Sequence, residues 1–453
     1  MVKLVREREV SPVELVNAHL LEISARNPSL NAFRAIFAEE ALAQARAAEA
    51  AISRDEPLGL LAGVPVTVKD SFDVAGYPTQ SGSRLRAGHR AAEDAQVVAR
   101  LRGAGAILLG KTNTPDLLAS YETDNLVTGR TNNPWDPERT PGGSSGGEAA
   151  AIAAFCSPAG VASDGGGSIR VPAHFCGVAG LKPTPGRIST RGHFPSLGYP
   201  GGLTSVVGPM ARNVEDLRLL FSVLAGYDAE DPFSTPAPLA EPPTGPFRVA
   251  VWPQFYGVTV DPEIAQAIGH AYTLCDAMGW TLSIFEPRGF ERAPNLWATL
   301  FQWPMLALQK LVEGREEECH WTLRESLALL TATPTAEQLL LTLAARDRMR
   351  ASLIRQMENL DALLMPVASI PAFRHRERQW TVAGQEIGLF QAMMPALLAN
   401  VLGLPAVTIP MAVSLQGLPL GLQLVGRPHE DESLLEAAVR LEEARGPWQG
   451  IGT

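Results

Sequence analysis

The chain has 453 residues, 46% hydrophobic and 19% charged, with 41 glycines and 36 prolines. That composition suits a large, loop-rich globule and excludes disorder, collagen and coiled coil, each of which needs a bias that is absent here. A net charge of −10 argues against a general nucleic-acid or membrane-surface binder, which needs a basic face to replace phosphate counterions.

In chain order, Met1 to Val10 carries Lys3, Arg6 and Arg8 with no apolar run behind them, so it does not read as a signal peptide. Ser11 can cap a helix, Pro12 suits its first turn and Glu14 completes a capping box, with Val16, His19, Leu20 and Ile23 following at helical spacing. A second helix is expected from Phe37 to Ile52. Val64, Val66 and Val68 then alternate as in a strand that delivers Lys69 at its end. Glu93 to Arg102 reads as a helix stopped by Gly103, followed by a buried strand from Ala106 to Leu109.

From Pro141 to Gly186 the chain becomes glycine-rich. Pro236 to Pro246 is a proline-rich link, and residues 287–350 are expected to be helical, with Trp297, Phe301, Trp303 and Trp321 among them. Strand-like runs return at Ala362 to Val367, Ala406 to Ala412 and Gly421 to Val425, before a helix from Ser433 to about Arg445. Alternation of strand and helix predicts an α/β protein with a sheet covered on both faces by helices. The simplest organisation is a single domain, residues 1–453, with 287–350 as a helical insertion or cap. Cys156, Cys176, Cys275 and Cys319 are too few and scattered for a disulfide framework or a metal site, and are expected to be buried free thiols. No stretch approaches the roughly 18 uncharged apolar residues of a membrane span, so a cytoplasmic protein is expected.

Two short motifs invite misreading. Gly105-Ala-Ile-Leu-Leu-Gly110-Lys111-Thr112 satisfies GxxxxGK[ST], but a phosphate cradle needs its middle residues to be a loop with a helix after it. Here the middle residues are the apolar strand itself, and Pro115 interrupts any following helix. Gly142-Gly-Ser144-Ser145-Gly146 fits the GxSxG nucleophile elbow. That elbow needs an acid and then a histidine downstream, and His174, His193, His270, His320, His375 and His429 lie in no recognisable triad setting.

Three segments gain force together: Val68-Lys69-Asp70, Gly142-Gly143-Ser144-Ser145-Gly146-Gly147, and Asp164-Gly165-Gly166-Gly167-Ser168-Ile169-Arg170. With Phe175-Cys-Gly-Val-Ala-Gly-Leu-Lys-Pro-Thr184 after them, the run from Pro141 to Thr184 resembles the signature of the amidase signature family. Leu61-Ala-Gly-Val-Pro65, Gly110-Lys-Thr-Asn113, Thr131-Asn-Asn-Pro-Trp135 and Gly417-Leu-Pro-Leu-Gly-Leu-Gln423 extend the likeness over nearly the whole chain. Members of that family hydrolyse or transfer at C–N bonds with a Ser–Ser–Lys triad.

The resemblance implies that Ser168 is the nucleophile, that Ser144 is a bridging serine on a cis peptide after Gly143, and that Lys69 is the base. A serine hydroxyl attacks only once a neighbour takes its proton, and a lysine can do so only when neutral, which burial promotes. Gly165, Gly166 and Gly167 allow backbone N–H groups to converge beside Ser168 as an oxyanion site. Ser145, Asp164 and Arg170 match the signature too and are expected to hold the two serine loops. Many relatives carry Thr, Ile or Val where Gly165 stands, which implies a looser loop, and the lead before Ser11 is short, which hints at a trimmed or variant start.

The implied function is hydrolysis of a small-molecule amide, with ester or carbamate as further substrates, through an acyl-enzyme, without cofactor or metal, in a monomer or homodimer. Trp297, Phe301 and Trp303 are read as a pocket wall favouring aryl or apolar acyl groups, with a core role as the alternative. His174 is expected to pack or hydrogen-bond, and neither His174 nor His193 is expected to be the general base. The competing function is an A-type subunit of an amidotransferase complex that releases ammonia for a partner.

Overall fold

Strand residues two apart share a face, and the strand Pro65–Lys69 shows the consequence. Val66 and Val68 enter a large apolar core, while Thr67 bonds to Glu148 and Lys69 to a group of serines on the opposite face. The alternation that makes the segment a strand therefore also aims its lysine. The computed structural model describes residues 1–198, 201–255, 257–330, 333–448 and 450–451.

Eleven described strands form one mixed sheet. Their spatial order is Phe33–Ile36, Ile107–Thr112, Pro65–Lys69, Ala159–Asp164, Val206–Ala211, Ala179–Lys182, Ala406–Val413, Pro419–Gly426, Ala362–Pro366, Arg248–Val251 and Thr281–Ile284. Pro65–Lys69 runs parallel to both its neighbours, and the centre from Ala159 to Pro366 is antiparallel. Helices cover both faces, and the period-2 pattern says which residue serves which. Leu108, Val161, Leu364, Leu422 and Leu424 join the core beneath the helices Gln96–Gly103, Val214–Leu224, Pro262–Ala277 and Asp431–Arg445. Their neighbours Leu109, Ala162, Leu363, Met365 and Val425 pack on the other face, against Ala38–Ser53, Gly146–Ala153, Arg170–Cys176, Ala293–Val312 and Leu389–Val401.

The expected elements stand with shifted ends. A short helix not expected from the sequence, Val2–Arg6, opens the chain, and the first expected helix runs Pro12–Leu30, with Ser11 Oγ accepting from Val13 N at 3.0 Å and Ser11 N donating to Glu14 Oε2 at 2.8 Å. The second spans Ala38–Ser53. The helix expected from Glu93 begins only at Gln96, because Asp94 is held outside it by the Ala75 amide at 2.8 Å. Gly103 ends that helix as its last residue, and the left-handed turn falls instead on Gly105 at φ 84°. Residues 236–246 contain neither helix nor strand, and 287–350 supplies the helices Ala293–Val312, Trp321–Ala328 and most of Ala336–Gln356. All four cysteines are free and buried. Among the described residues no helix is long and apolar enough to cross a membrane.

The Gly105–Thr112 motif is indeed a strand, Ile107–Thr112, and Lys111 is spent inside it. Its ammonium pairs with Asp70 at 2.9 Å and donates to Pro78 O at 2.7 Å and Thr79 Oγ1 at 2.9 Å, with both charged side chains 1% exposed. Breaking a buried pair leaves an uncompensated charge, so Lys111→Ala should cost about 3–5 kcal/mol in urea unfolding. A loss of nucleotide binding in place of a loss of stability would contradict this structural role.

Candidate functional site

The parallel pairing of Pro65–Lys69 with Ala159–Asp164 brings the ends of both strands, Lys69 and Ser163-Asp164, to one edge of the sheet. Ligand sites of α/β proteins gather at such carboxyl ends. Two loops enter there. One carries Ser144 and Ser145 into the helix Gly146–Ala153, through a cis peptide between Gly143 and Ser144. A Cβ on Gly143 would sit 2.4 Å from Ser120 O, so only glycine fits that passage. The other loop carries Gly165 to Ser168 into the helix Arg170–Cys176.

Lys69 is wholly buried, and its Nζ lies 2.7 Å from Ser144 Oγ, 2.9 Å from Ser145 Oγ and 3.1 Å from Ser163 Oγ. Burial lowers its pKa to about 7, against the upward pull of the Asp164 and Glu148 carboxylates. Ser144 is buried as well, whereas Ser168 is half-exposed. The two serine loops are tied by Ser145 N donating to Ser168 O at 3.2 Å. The Ser168 hydroxyl makes no hydrogen bond among the described residues.

Asp164 organises the second loop. Its Oδ1 accepts from Gly167 N at 2.7 Å, Arg170 Nη2 at 3.0 Å and Asn400 Nδ2 at 2.9 Å, and its Oδ2 from Ile169 N at 3.1 Å and Arg170 Nε at 3.0 Å. Burial alone would raise its pKa, but Arg170, Asn400 and Lys182 outweigh it and hold the carboxyl well below the usual range. Arg170 continues to Ala396 O at 2.8 Å and Gln423 Oε1 at 2.9 Å, which fastens the loop to the helix Leu389–Val401 and the strand Pro419–Gly426. One expectation narrows here. The Gly167 amide is committed to Asp164, so the amides of the loop without a partner among the described residues are those of Gly165, Gly166 and Ser168.

Two aromatic residues grip the carbonyl side of that loop. Trp297 Nε1 donates to Gly165 O at 2.8 Å and Tyr121 Oη donates to Gly166 O at 2.6 Å. A trans peptide points its C=O and N–H in opposite directions, so holding these carbonyls turns the Gly166 N–H away from Trp297. Trp297 stacks on Phe301 with centroids 4.5 Å apart and planes at 16°. A Cβ on Gly165 would stand 2.6 Å from Ser205 Oγ and one on Gly166 2.7 Å from the Trp297 ring. The loop at Gly165 is therefore crowded, contrary to the looser loop expected.

Trp297 and Phe301 are four residues apart and share a helix face. Trp303, six residues beyond Trp297, lies on a different face and makes no ring contact or hydrogen bond to the glycine loop among the described residues. His174 bridges Ile370 O at 3.0 Å and Gly421 N at 2.7 Å. Burial pushes its pKa to about 4, and it acts as a strut between helix and strand. His193 is closer to the chemistry than expected: its Nε2 is 2.9 Å from Ser163 Oγ. Ser163, Tyr121 and Asn400 are site residues that the sequence motifs do not mark. Asn400 does carry a signal, as the lone amide closing an apolar helical run, a residue type rarely buried without a partner. Among the described residues no three His, Cys, Asp or Glu side chains gather as metal ligands would.

Comparison with known proteins places the chain in a family. The family model described as Amidase matches residues 14–435. An indoleacetamide hydrolase of Bradyrhizobium diazoefficiens is 34% identical over 98% of this chain and 85% of its own length. The A subunit of the glutamyl-tRNA(Gln) amidotransferase of Moorella thermoacetica is 33% identical over 97% and 95%. The crystal structure of a bacterial aryl acylamidase of the amidase signature family superposes with a TM-score of 0.87 at 29% identity, covering 99% of this chain and 95% of that one. The chain belongs to the amidase family, the amidase signature enzymes. It is a hydrolase acting on carbon–nitrogen bonds.

Because Asp164 and Arg170 are both fully buried, Arg170→Met leaves an unpaired carboxylate under the Ser168 loop. The expected loss is about 3–5 kcal/mol by chemical denaturation. A variant as stable as the parent would show that Asn400 and the backbone amides hold Asp164 unaided.

Proposed function

We propose that Ser168, Ser144 and Lys69 form a Ser–Ser–Lys triad that hydrolyses a carboxamide through an acyl-enzyme. The observation that carries the reading is the 2.7 Å approach of the buried Lys69 amine to Ser144 Oγ, with the accessible Ser168 on the adjoining loop. Neutral Lys69 takes the proton of Ser144 as Ser144 takes that of Ser168, and Ser168 Oγ bonds to the substrate carbonyl carbon. The amides of Gly165, Gly166 and Ser168 receive the negative oxygen. The C–N bond then breaks, the amine leaves with the proton returned through Ser144, and water releases the acyl group by the same route.

Ser168→Ala should lower kcat by about 10⁴-fold or more, as loss of a nucleophile does in other serine hydrolases. A fluorophosphonate should label Ser168 in mass spectrometry; a label on Ser144 or Ser145 would reassign the nucleophile. Since the base must be neutral and Lys69 is lowered to about 7, kcat/KM should rise with pH through that value and level off above it. Lys69→Ala should abolish this dependence together with the activity.

Trp297 belongs to the buried core, but the partly buried Phe301 stacked on it stands beside Gly165, which supports an aryl or apolar acyl substrate. Each methylene buried there contributes about 0.8 kcal/mol, whereas a glutamine-like group would lose its water without a matched partner. Anilides, aryl esters and aryl carbamates should therefore exceed acetamide and glutamine in kcat/KM. Phe301→Ala should narrow that margin mainly through KM, and Trp303→Ala should leave it unchanged. In this reading residues 287–350 act as a cap over the site. The likeness to an amidotransferase component supports the rival reading, under which the isolated chain would turn over small polar amides at least as well as anilides, or none at all.

A further inference from the structure

Three hydroxyls surround the Lys69 amine, and their own partners decide which of them can give it a proton. Ser145 Oγ lies 3.3 Å from Ser163 O. A carbonyl only accepts, so the Ser145 proton points there and its oxygen is left to accept from Lys69 at 2.9 Å. His193 Nδ1 lies 2.8 Å from Pro195 O, another carbonyl, which places the ring proton on Nδ1 and leaves Nε2 bare. Ser163 Oγ, 2.9 Å from that Nε2, donates to it and so accepts from Lys69 at 3.1 Å. A neutral lysine has two N–H groups and one lone pair. Both N–H groups are spent on Ser145 and Ser163, and the lone pair is left facing the Ser144 hydroxyl at 2.7 Å.

We propose that His193 is a positioning residue for the amidase reaction, aiming the lone pair of Lys69 at Ser144 by fixing the proton of Ser163. The proposal rests on the reading of Lys69 as the base. The surroundings of the histidine suit that role. It is buried, its ring meets the edge of Phe72 at 5.1 Å, and burial with the nearby Lys69 charge pushes its pKa to about 3, so it stays a neutral acceptor. The charged groups acting on Lys69 itself are Asp164 and Glu148.

The test is kcat and KM against pH on the full chain with an anilide, for His193→Phe, His193→Gln, Ser163→Ala and the His193→Phe/Ser163→Ala pair, with thermal melting to confirm folding. Without an acceptor at Nε2, Ser163 turns its proton toward the Lys69 lone pair in competition with Ser144. His193→Phe should then lower kcat about tenfold at unchanged KM. The acid limb of its kcat/KM profile should move to lower pH, because an added donor favours the neutral amine. His193→Gln, which offers an acceptor oxygen, should recover most of the rate, and the double variant should lose no more than Ser163→Ala alone. A His193→Phe enzyme with parental kcat and pH limb, or losses that multiply in the pair, would overturn the proposal. Nitrogen-15 NMR of the unaltered chain decides it without any variant: the proton belongs on His193 Nδ1 throughout the active pH range, and a proton on Nε2 refutes the scheme. Lys69→Ala separates the two levels. If it keeps its activity the base assignment fails, and if it is inactive while His193→Phe is normal, only the positioning role fails.

Discussion

The site depends on a buried amine that is surrounded by hydroxyls. Three buried lysines make the point by contrast. Lys111 is neutralised by Asp70 at 2.9 Å. Lys182 donates to Leu404 O at 2.7 Å and Pro183 O at 3.0 Å, oxygens that have no proton to return. Burial brings both Lys69 and Lys182 to about 7, so desolvation alone does not distinguish them. Lys111 also meets a hydroxyl, that of Thr79, but Asp70 pairs with it, and of the two lysines brought to about 7 it is Lys69 that faces groups able to donate as well as accept. A lysine with carbonyl partners can be neutral and idle, whereas a lysine with hydroxyl partners can pass protons.

Burying an amine without a carboxylate partner is costly, and the cost is met by groups that stand one layer out. Asp164 lies close enough to favour the ammonium form electrostatically, but its hydrogen-bonding capacity is taken up by Arg170, Asn400 and two loop amides. Glu148 is similarly occupied, accepting from the hydroxyls of Thr67 and Thr112, and burial raises it to about 7. Each carboxylate influences Lys69 through space without binding it. The Asp164–Arg170 pair also fixes the loop that bears Ser168, so one buried ion pair sets both the field around the amine and the position of that half-buried serine.

Much of this is legible in the residues. Valine alternation announces the strand that ends in Lys69, Ser11-Pro12-Glu14 announces the first helix, and glycine density marks the two loops. The rest is hidden for physical reasons. The helix Leu389–Val401 is apolar on all sides and contains Pro395, so it offers no amphipathic stripe, yet it brings Asn400 and Ala396 O to Arg170. The helices Val214–Leu224 and Pro262–Ala277 do carry signals, an Asn213 cap and an Asp261-Pro262 start. His193 is visible as a residue, but its meaning depends on the Pro195 carbonyl and Ser163 hydroxyl on either side, and hydrogen-bond direction has no sequence pattern.

Gly165 joins the electrostatic and packing arguments. The resemblance implies that a glycine in a position often filled by a branched residue would loosen the loop. The surroundings favour the opposite. Ser205 occupies the volume a Cβ would need, and Trp297 takes the Gly165 carbonyl while its ring covers Gly166. An indole can approach a backbone this closely only where side chains are missing, so the glycine freedom is spent on packing an aromatic ring against the loop that leads to Ser168. That ring then belongs to two things at once: the orientation of the Gly165–Gly166 peptide and the buried cluster that packs the helix Ala293–Val312 against the sheet. A chain built this way couples the packing of that helix to the set of the amides beside Ser168, because moving Trp297 for one disturbs the other.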